Sequence, residues 1–169
     1  ACTPCNIDFH GRTAPMVSSF LQRGGLWVLG QNLLLCAVLA GGILYRQQWQ
    51  SAPLTGCGAI LLLLAAVCGL AGTFRLGRNL TPFPRPATTV KLIQTGIYGL
   101  MRHPLYTAVF CATRGWALVW QSWPALLAAL ALAPLLDAKA RREEHWLRQQ
   151  FPEYGDYERR VRRYAPWLY

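Results

Sequence analysis

The chain has 169 residues, 53% of them hydrophobic and 14% charged, with a formal net charge of +10. A soluble domain carries about 25% charged residues; the composition therefore argues against an ordinary water-soluble fold, and a soluble bundle of buried helices is the lesser reading. The length allows one domain, and seven Trp with seven Tyr suit a protein that meets a membrane interface, where amphipathic rings are favoured.

Near the start, Cys2 and Cys5 form a C-x-x-C with no second pair, which makes a metal or redox role the lesser reading. Cys36, Cys57, Cys68 and Cys111 fall within apolar runs and are read as small hydrophobes. His10, His103 and His145 are too far apart to suggest metal-ligand spacing, so no metal site is expected. The first apolar segment covers residues 26–45, interrupted by Gln31 and Asn32. It is longer than a signal-peptide core, and at about 1.5 Å per residue it can cross a hydrocarbon layer of roughly 30 Å. The second, residues 55–74, carries no charge and is the clearest span in the sequence. Residues 75–103 are polar and hold Pro82, Pro84, Pro86, Gly96 and Gly99. Proline breaks helices here, and a loop of this length is usually functional or disordered; Phe83, Leu92, Ile93, Ile97 and Tyr98 favour order.

A third span is predicted from Pro104 to about Trp120, opened by a proline at a helical position that needs no N–H partner. The link at residues 121–124 permits only a tight antiparallel hairpin into a fourth span, residues 125–138. That helix is expected to run on through Glu143 and Glu144 into water and to end at Phe151 and Pro152. The fold class is therefore an all-α integral membrane bundle of about four spans, in one domain over residues 1–169. Within it, residues 1–74 supply two spans and residues 75–169 supply the loop, hairpin and tail.

Charge placement orients the bundle. The loop between spans two and three holds Arg75, Arg78, Arg85, Lys91 and Arg102, and eight of the seventeen basic residues lie between Lys139 and Arg163. The other loops hold only Arg46. Basic loops stay on the cytoplasmic side, so both termini and the long loop are expected there, in a bacterial inner membrane. Beside apolar spans the basic tail reads as contacting anionic lipid rather than nucleic acid.

Candidate chemistry gathers on that side. Arg102-His103-Pro104-Leu105-Tyr106 opens span three, where free backbone N–H groups and the positive dipole end favour an anion; the plainer reading is a snorkelling Arg102 and a Tyr106 in an aromatic belt. Lys139 and Glu143 share a helix face, as do Arg141 and His145, and a solvated, salt-bridged helix end is the alternative to a binding role. A ligand with both signs of charge and hydroxyls, such as S-adenosylmethionine, suits an acidic helix end beside an anion-favouring N-terminus. Arg114 sits about 15 Å down span three, where charges are costly and by default functional; the alternative is burial against a carbonyl or a polar neighbour such as Gln31 or Asn32.

These residues carry a resemblance. Leu92-Ile93-Gln94-Thr95-Gly96-Ile97-Tyr98, then Arg102 to Tyr106, then Glu143-Glu144, and then Phe151, Tyr154, Tyr157, Val161 and Pro166 resemble the isoprenylcysteine carboxyl methyltransferase and phospholipid methyltransferase family. The run from Arg78 to Pro86 resembles its small bacterial members. The match covers residues 75–169, and the first two spans match only as hydrophobic helices. The resemblance implies an S-adenosylmethionine-dependent methyltransferase with a cytoplasmic cofactor pocket. Val90, Lys91, Leu92 and Ile93 would line that pocket, Tyr98 would close on the adenosyl part, and His103, Pro104, Leu105 and Tyr106 would hold the methionine end. Arg102, Glu143 and Glu144 join this cofactor set, Glu143 as the acidic contact. Lys139 stands where the family has a basic substrate contact, with Arg142 and Arg114 as further substrate candidates; Lys139 and Arg114 are the candidates for a catalytic role. Val90 replaces the family's usual His, and Lys139 replaces the Arg of the prenylcysteine enzymes.

The acceptor implied is a lipophilic small molecule reached from the bilayer. No dedicated base is evident, which favours an ionised group, a carboxylate such as an isoprenylcysteine-like one, over a phospholipid, amine or thiol. A nicotinamide-dependent membrane reductase of related architecture and a non-enzymatic membrane subunit are the other readings, though the short loops leave little room for the larger cofactor.

Overall fold

The computed structural model describes residues 25–77 and 92–165. Val90, Lys91, the run from Arg78 to Pro86, the Cys2–Cys5 pair and Pro166 lie outside them. The described residues form five α-helices and a 3-10 turn: α1 (Gly25–Leu44), α2 (Ala52–Leu76), the turn Gly96–Gly99, α3 (Pro104–Val119), α4 (Trp123–Gln150) and α5 (Tyr154–Arg160).

The three helices α1, α2 and α4 are long and apolar enough to cross a membrane. Their outward residues are large and apolar: Leu33 is 72% exposed, Leu63 67%, Leu127 63% and Phe74 83%. Apolar faces of this extent on helices long enough to span fit a lipid surround. The third expected span, now α3, has nearly the predicted bounds but only 16 residues, about 24 Å of helix. It is therefore short of the hydrocarbon thickness by itself. The last long helix starts earlier than the sequence suggests. Ser122 caps it by accepting from the Ala125 N–H at 3.4 Å, and Pro124 sits in the first turn, where its missing N–H costs nothing. Beyond Leu136 the same helix turns polar and ends at Gln150, one residue before Phe151.

In space, α2 packs on α3, α3 on α4, and α4 on α1, which also touches α3. Small residues let these backbones approach. Ala117, Ala125 and Ala129 are fully buried. Gly58 of α2 and Gly115 of α3 meet so closely that a Cβ on Gly115 would stand 2.8 Å from the Gly58 carbonyl oxygen and 3.0 Å from the Leu62 nitrogen. Neither obstacle is a flexible side chain. Gly115→Val should therefore force the two helices apart and cost about 1–3 kcal/mol, as overpacking does; unfolding in detergent measures it, and an unchanged midpoint would contradict the contact.

At one end the two helical turns are stitched together. The Gln47 and Gln48 N–H groups donate to the carbonyls of Trp120 and Gln121 at 2.9 Å each, and the Ser122 hydroxyl donates to the Gly41 carbonyl at 2.8 Å. At the opposite end, the start of α3, the polar half of α4 and α5 come together.

Candidate functional site

The last described stretch of chain crosses the start of α3. The N–H groups of Arg102 and His103 donate to the carbonyls of Arg162 and Arg163 at 2.8 and 2.9 Å, and the Thr107 hydroxyl donates to the Tyr164 carbonyl at 2.8 Å. A parallel bridge joins Met101 to Arg162. These bonds carry Arg163 inward, away from the solvated tail that its neighbours suggest.

Glu144 is the centre of the resulting cluster. Its side chain is fully buried. Arg163 donates to it through both Nε (3.0 Å) and Nη2 (2.7 Å), the two-pronged geometry that guanidinium and carboxylate favour. His103 Nε2 lies 3.1 Å from the same carboxylate, and Arg102 Nη2 lies 3.4 Å away. Burial alone would raise the Glu144 carboxyl, but the hydrogen bonds from His103 and Arg163 and the nearby Arg102 charge outweigh it and hold it down to about 2. The same bonds to Glu144 push the Arg163 guanidinium upward. Around this centre, Glu158 pairs with Arg102 at 2.9 Å and with Arg148 at 2.7 Å; its carboxyl is lowered, first by the Arg148 hydrogen bonds.

Glu143, one residue earlier, has a different environment. Its side chain is 30% exposed, and among the described residues its close hydrogen bond comes from the neutral Tyr106 hydroxyl at 2.9 Å. Tyr106 in turn stacks on His103, with ring centroids 5.2 Å apart and planes 19° apart. Since His103 Nε2 faces Glu144, the neutral ring that donates there presents a bare Nδ1, which lies 3.9 Å from Glu143. Lys139, one turn before Glu143, is buried; its ammonium donates to the Gln31 amide oxygen of α1 at 2.7 Å and sits 5.6 Å from the Tyr106 ring centroid. Tyr98 is buried, with its carbonyl accepting from Tyr157 at 2.7 Å. Its hydroxyl is pushed up to about 12 by burial and then by the Glu143 charge.

The structure thus brings Tyr98, Arg102, His103, Tyr106, Lys139, Glu143 and Glu144 into one neighbourhood. Pro104 and Leu105 pack towards Gly72 of α2. Leu92 and Ile93 are half-buried on the segment before the 3-10 turn, and Arg142 is exposed on α4 outside the cluster. Gln31 is taken by Lys139, and Arg114 meets a carbonyl, as its non-functional reading expects: its Nη1 donates to the carbonyl of Phe110 at 3.1 Å. It lines an open groove of about 450 Å³ between α2, α3 and α4. Arg163, Asp137 and Tyr164 were not singled out from the sequence. Asp137 accepts from Arg141 at 2.7 Å, Tyr164 at 3.0 Å and Arg163 at 3.2 Å. Arg141 is one helical turn from Asp137, but Arg163 and Tyr164 lie 26 and 27 residues away, and no helical spacing links them to it.

A family model described as phospholipid methyltransferase matches residues 54–154. The nickel-cobalt-cadmium resistance protein NccN of Alcaligenes xylosoxydans xylosoxydans is 33% identical over 156 residues, 90% of this chain and 69% of that protein. The cobalt-zinc-cadmium resistance protein CzcN of Cupriavidus metallidurans is 30% identical over 156 residues, 90% of this chain and 68% of that protein.

Proposed function

The chain belongs to the phospholipid methyltransferase family, and we propose on that premise that it is an S-adenosylmethionine-dependent methyltransferase acting on a lipophilic substrate held in the membrane. The observation that carries this reading is the contrast between two adjacent acids. Glu144 is paired with the Arg102 and Arg163 guanidinium groups and hydrogen-bonded to His103, whereas Glu143 is half-buried beside Tyr106, whose hydroxyl donates to it, and forms no ion pair with an Arg or Lys among the described residues.

The residues present fit such a cofactor. Glu143 offers a carboxylate to an ammonium or to ribose hydroxyls. His103 gives α3 no side-chain cap, so the Leu105 and Tyr106 N–H groups at the start of that helix lack intrahelical partners and suit a carboxylate. When bound, S-adenosylmethionine supplies an activated methyl group on a sulfonium. The protein's part is positioning, which accounts for much of the catalysis in such a displacement. Glu144 is a positioning residue: by accepting from His103 and clamping Arg163 it fixes the His103–Tyr106 stack and ties the tail to α3. Lys139, held by Gln31 beneath Tyr106, orients the substrate end of the site. We place this site at the cytoplasmic face, with both termini inside, because the basic residues concentrate there.

For an ionised carboxylate acceptor no proton moves. For an amine or thiol, His103 has the geometry of a proton acceptor, with Nε2 fixed by Glu144 and Nδ1 left bare. The names of the two relatives suggest the setting, a membrane change that accompanies resistance to divalent metal ions. Purified protein, labelled S-adenosylmethionine and extracted membrane lipids, followed by mass spectrometry, test the activity. A labelled lipophilic product is expected, and no labelled product from any lipid class would overturn the reading. A rate that climbs with pH across the neutral range would favour an amine or thiol acceptor, and a flat profile a carboxylate.

A further inference from the structure

The first helix turns two faces to two surroundings. Gln31, Val38, Gly41 and Gly42 look inward: Gln31 accepts from Lys139 at 2.7 Å, Val38 is buried, and the two glycines lie against Ala125 and Trp116. The other face is bare. Leu29, Leu39 and Ile43 are exposed on it, together with Asn32 and Cys36. Along the chain these five residues follow one another in alternate steps of three and four. That is the a and d pattern of a heptad, the seam along which two helices pack at a shallow left-handed crossing, in membranes as in water. Four of the five suit lipid. Asn32 does not: it stands twelve residues before Leu44, about 18 Å from that end of a helix that crosses roughly 30 Å of hydrocarbon. A carboxamide in an apolar surround is costly unless another polar group meets it, and no group among the described residues does so.

We propose that this face of α1 binds the same face of a second copy of the chain, in a parallel two-fold pair with Asn32 against the partner's Asn32. Three features select that occupant. Two copies inserted with one topology lie parallel, so a two-fold axis sets each seam residue level with its own equivalent. A carboxamide carries both donor and acceptor, so the two Asn32 side chains satisfy each other reciprocally, which an apolar partner helix could not do. A single polar residue in an otherwise apolar seam also fixes the register, because a slip of one turn would leave both amides in lipid. Cys36, one turn further on, then stands beside its equivalent, within the Cα separation of about 4.4–6.8 Å that a disulfide can bridge. Gln31 points to the other side of α1 and keeps its bond to Lys139, so pairing leaves the cluster at the charged end open. The proposal stands apart from the methyltransferase reading and gives the first span a task beyond holding Lys139.

The test uses the full chain, in the membranes that express it and in proteoliposomes. Copper phenanthroline should link it into a species of twice the chain's mass, and mass spectrometry should find the linkage between the two Cys36 residues. Cys36→Ser should lose that species. Adding Leu39→Cys, on the seam, to Cys36→Ser should restore it, whereas adding Ala37→Cys, off the seam, should not. Fluorescence transfer between chains carrying a donor or an acceptor, read over a range of protein-to-lipid ratios, gives the dimer constant without oxidation. Asn32→Leu replaces the amide by a side chain at home in a span, so folding is not at risk. It should weaken the dimer by about three- to thirtyfold, the worth of a polar contact between membrane helices. A monomer at every ratio, or a dimer as strong in Asn32→Leu as in the wild type, would overturn the proposal. So would a linkage through Ala37→Cys as strong as through Leu39→Cys, or Cys36 linked to a different protein in the native membrane.

Discussion

Glu144→Ala should destabilise the protein by about 3–5 kcal/mol, the cost of removing one partner from a buried charge cluster. The carboxylate is fully buried and holds Arg163 through both oxygens, with His103 and Arg102 on the same group. Without it, Arg102 keeps only Glu158 and Arg163 only Asp137 as counter-charges, and the tail loses its two-pronged anchor to α4. Glu144→Gln keeps the volume and one acceptor and should recover only part of the loss. Unfolding in detergent, followed by circular dichroism, measures both variants. A cost below about 1 kcal/mol for Glu144→Ala, the size of an exposed pair, would show that the cluster is not what holds the tail.

The same residue sets an acid limit. Its carboxyl is lowered from 4.5 to about 2 in the folded protein, so its contribution is fully present above about pH 4.5. It should be lost as pH falls from there towards 2, by about 3 kcal/mol in all. Glu144→Gln should flatten that part of the stability profile.

Glu143→Gln is expected to do the reverse: little to stability and much to binding. The side chain is 30% exposed and held by a neutral hydroxyl, so its removal should cost at most about 1 kcal/mol of folding. Affinity for S-adenosylmethionine should fall by about ten- to a hundredfold, since a charge-assisted contact to a cationic ligand is worth about 1.5–3 kcal/mol. Tyr106→Phe, which removes the hydrogen bond that orients Glu143, should weaken binding less. Calorimetry on folded variants reads both, and an unchanged affinity in Glu143→Gln would remove Glu143 from the site.

The helices were legible because their signal is local. Residues 26–45 and 55–74 became α1 and α2 within a few residues, since an uncharged apolar run of that length leaves the chain little alternative. The start of α3 was legible from Pro104. The start of α4 was missed by two residues because Trp123-Pro124 reads as a turn, although proline is equally at home in a first helical turn. At the site, the meeting of Arg102, His103 and Tyr106 with Glu143 and Glu144 was anticipated, because the hairpin between α3 and α4 returns one to the other. What the sequence did not disclose was the division of labour between the two glutamates. That depends on Arg163, 19 residues beyond Glu144, which is brought back by the reversal at residues 151–153 and by backbone bonds to Arg102 and His103. In the sequence Arg163 is one more cation in a basic tail. The partner of Lys139 was equally hidden: Gln31 lies 108 residues away and reads as a polar interruption of the first span.

The most direct measurement of the central claim is isothermal titration calorimetry of the purified full chain with S-adenosylmethionine and, in parallel, with NADPH. One equivalent of S-adenosylmethionine should bind, with NADPH producing no saturable heat. Saturable NADPH binding, or no S-adenosylmethionine binding by a folded protein, would contradict the account.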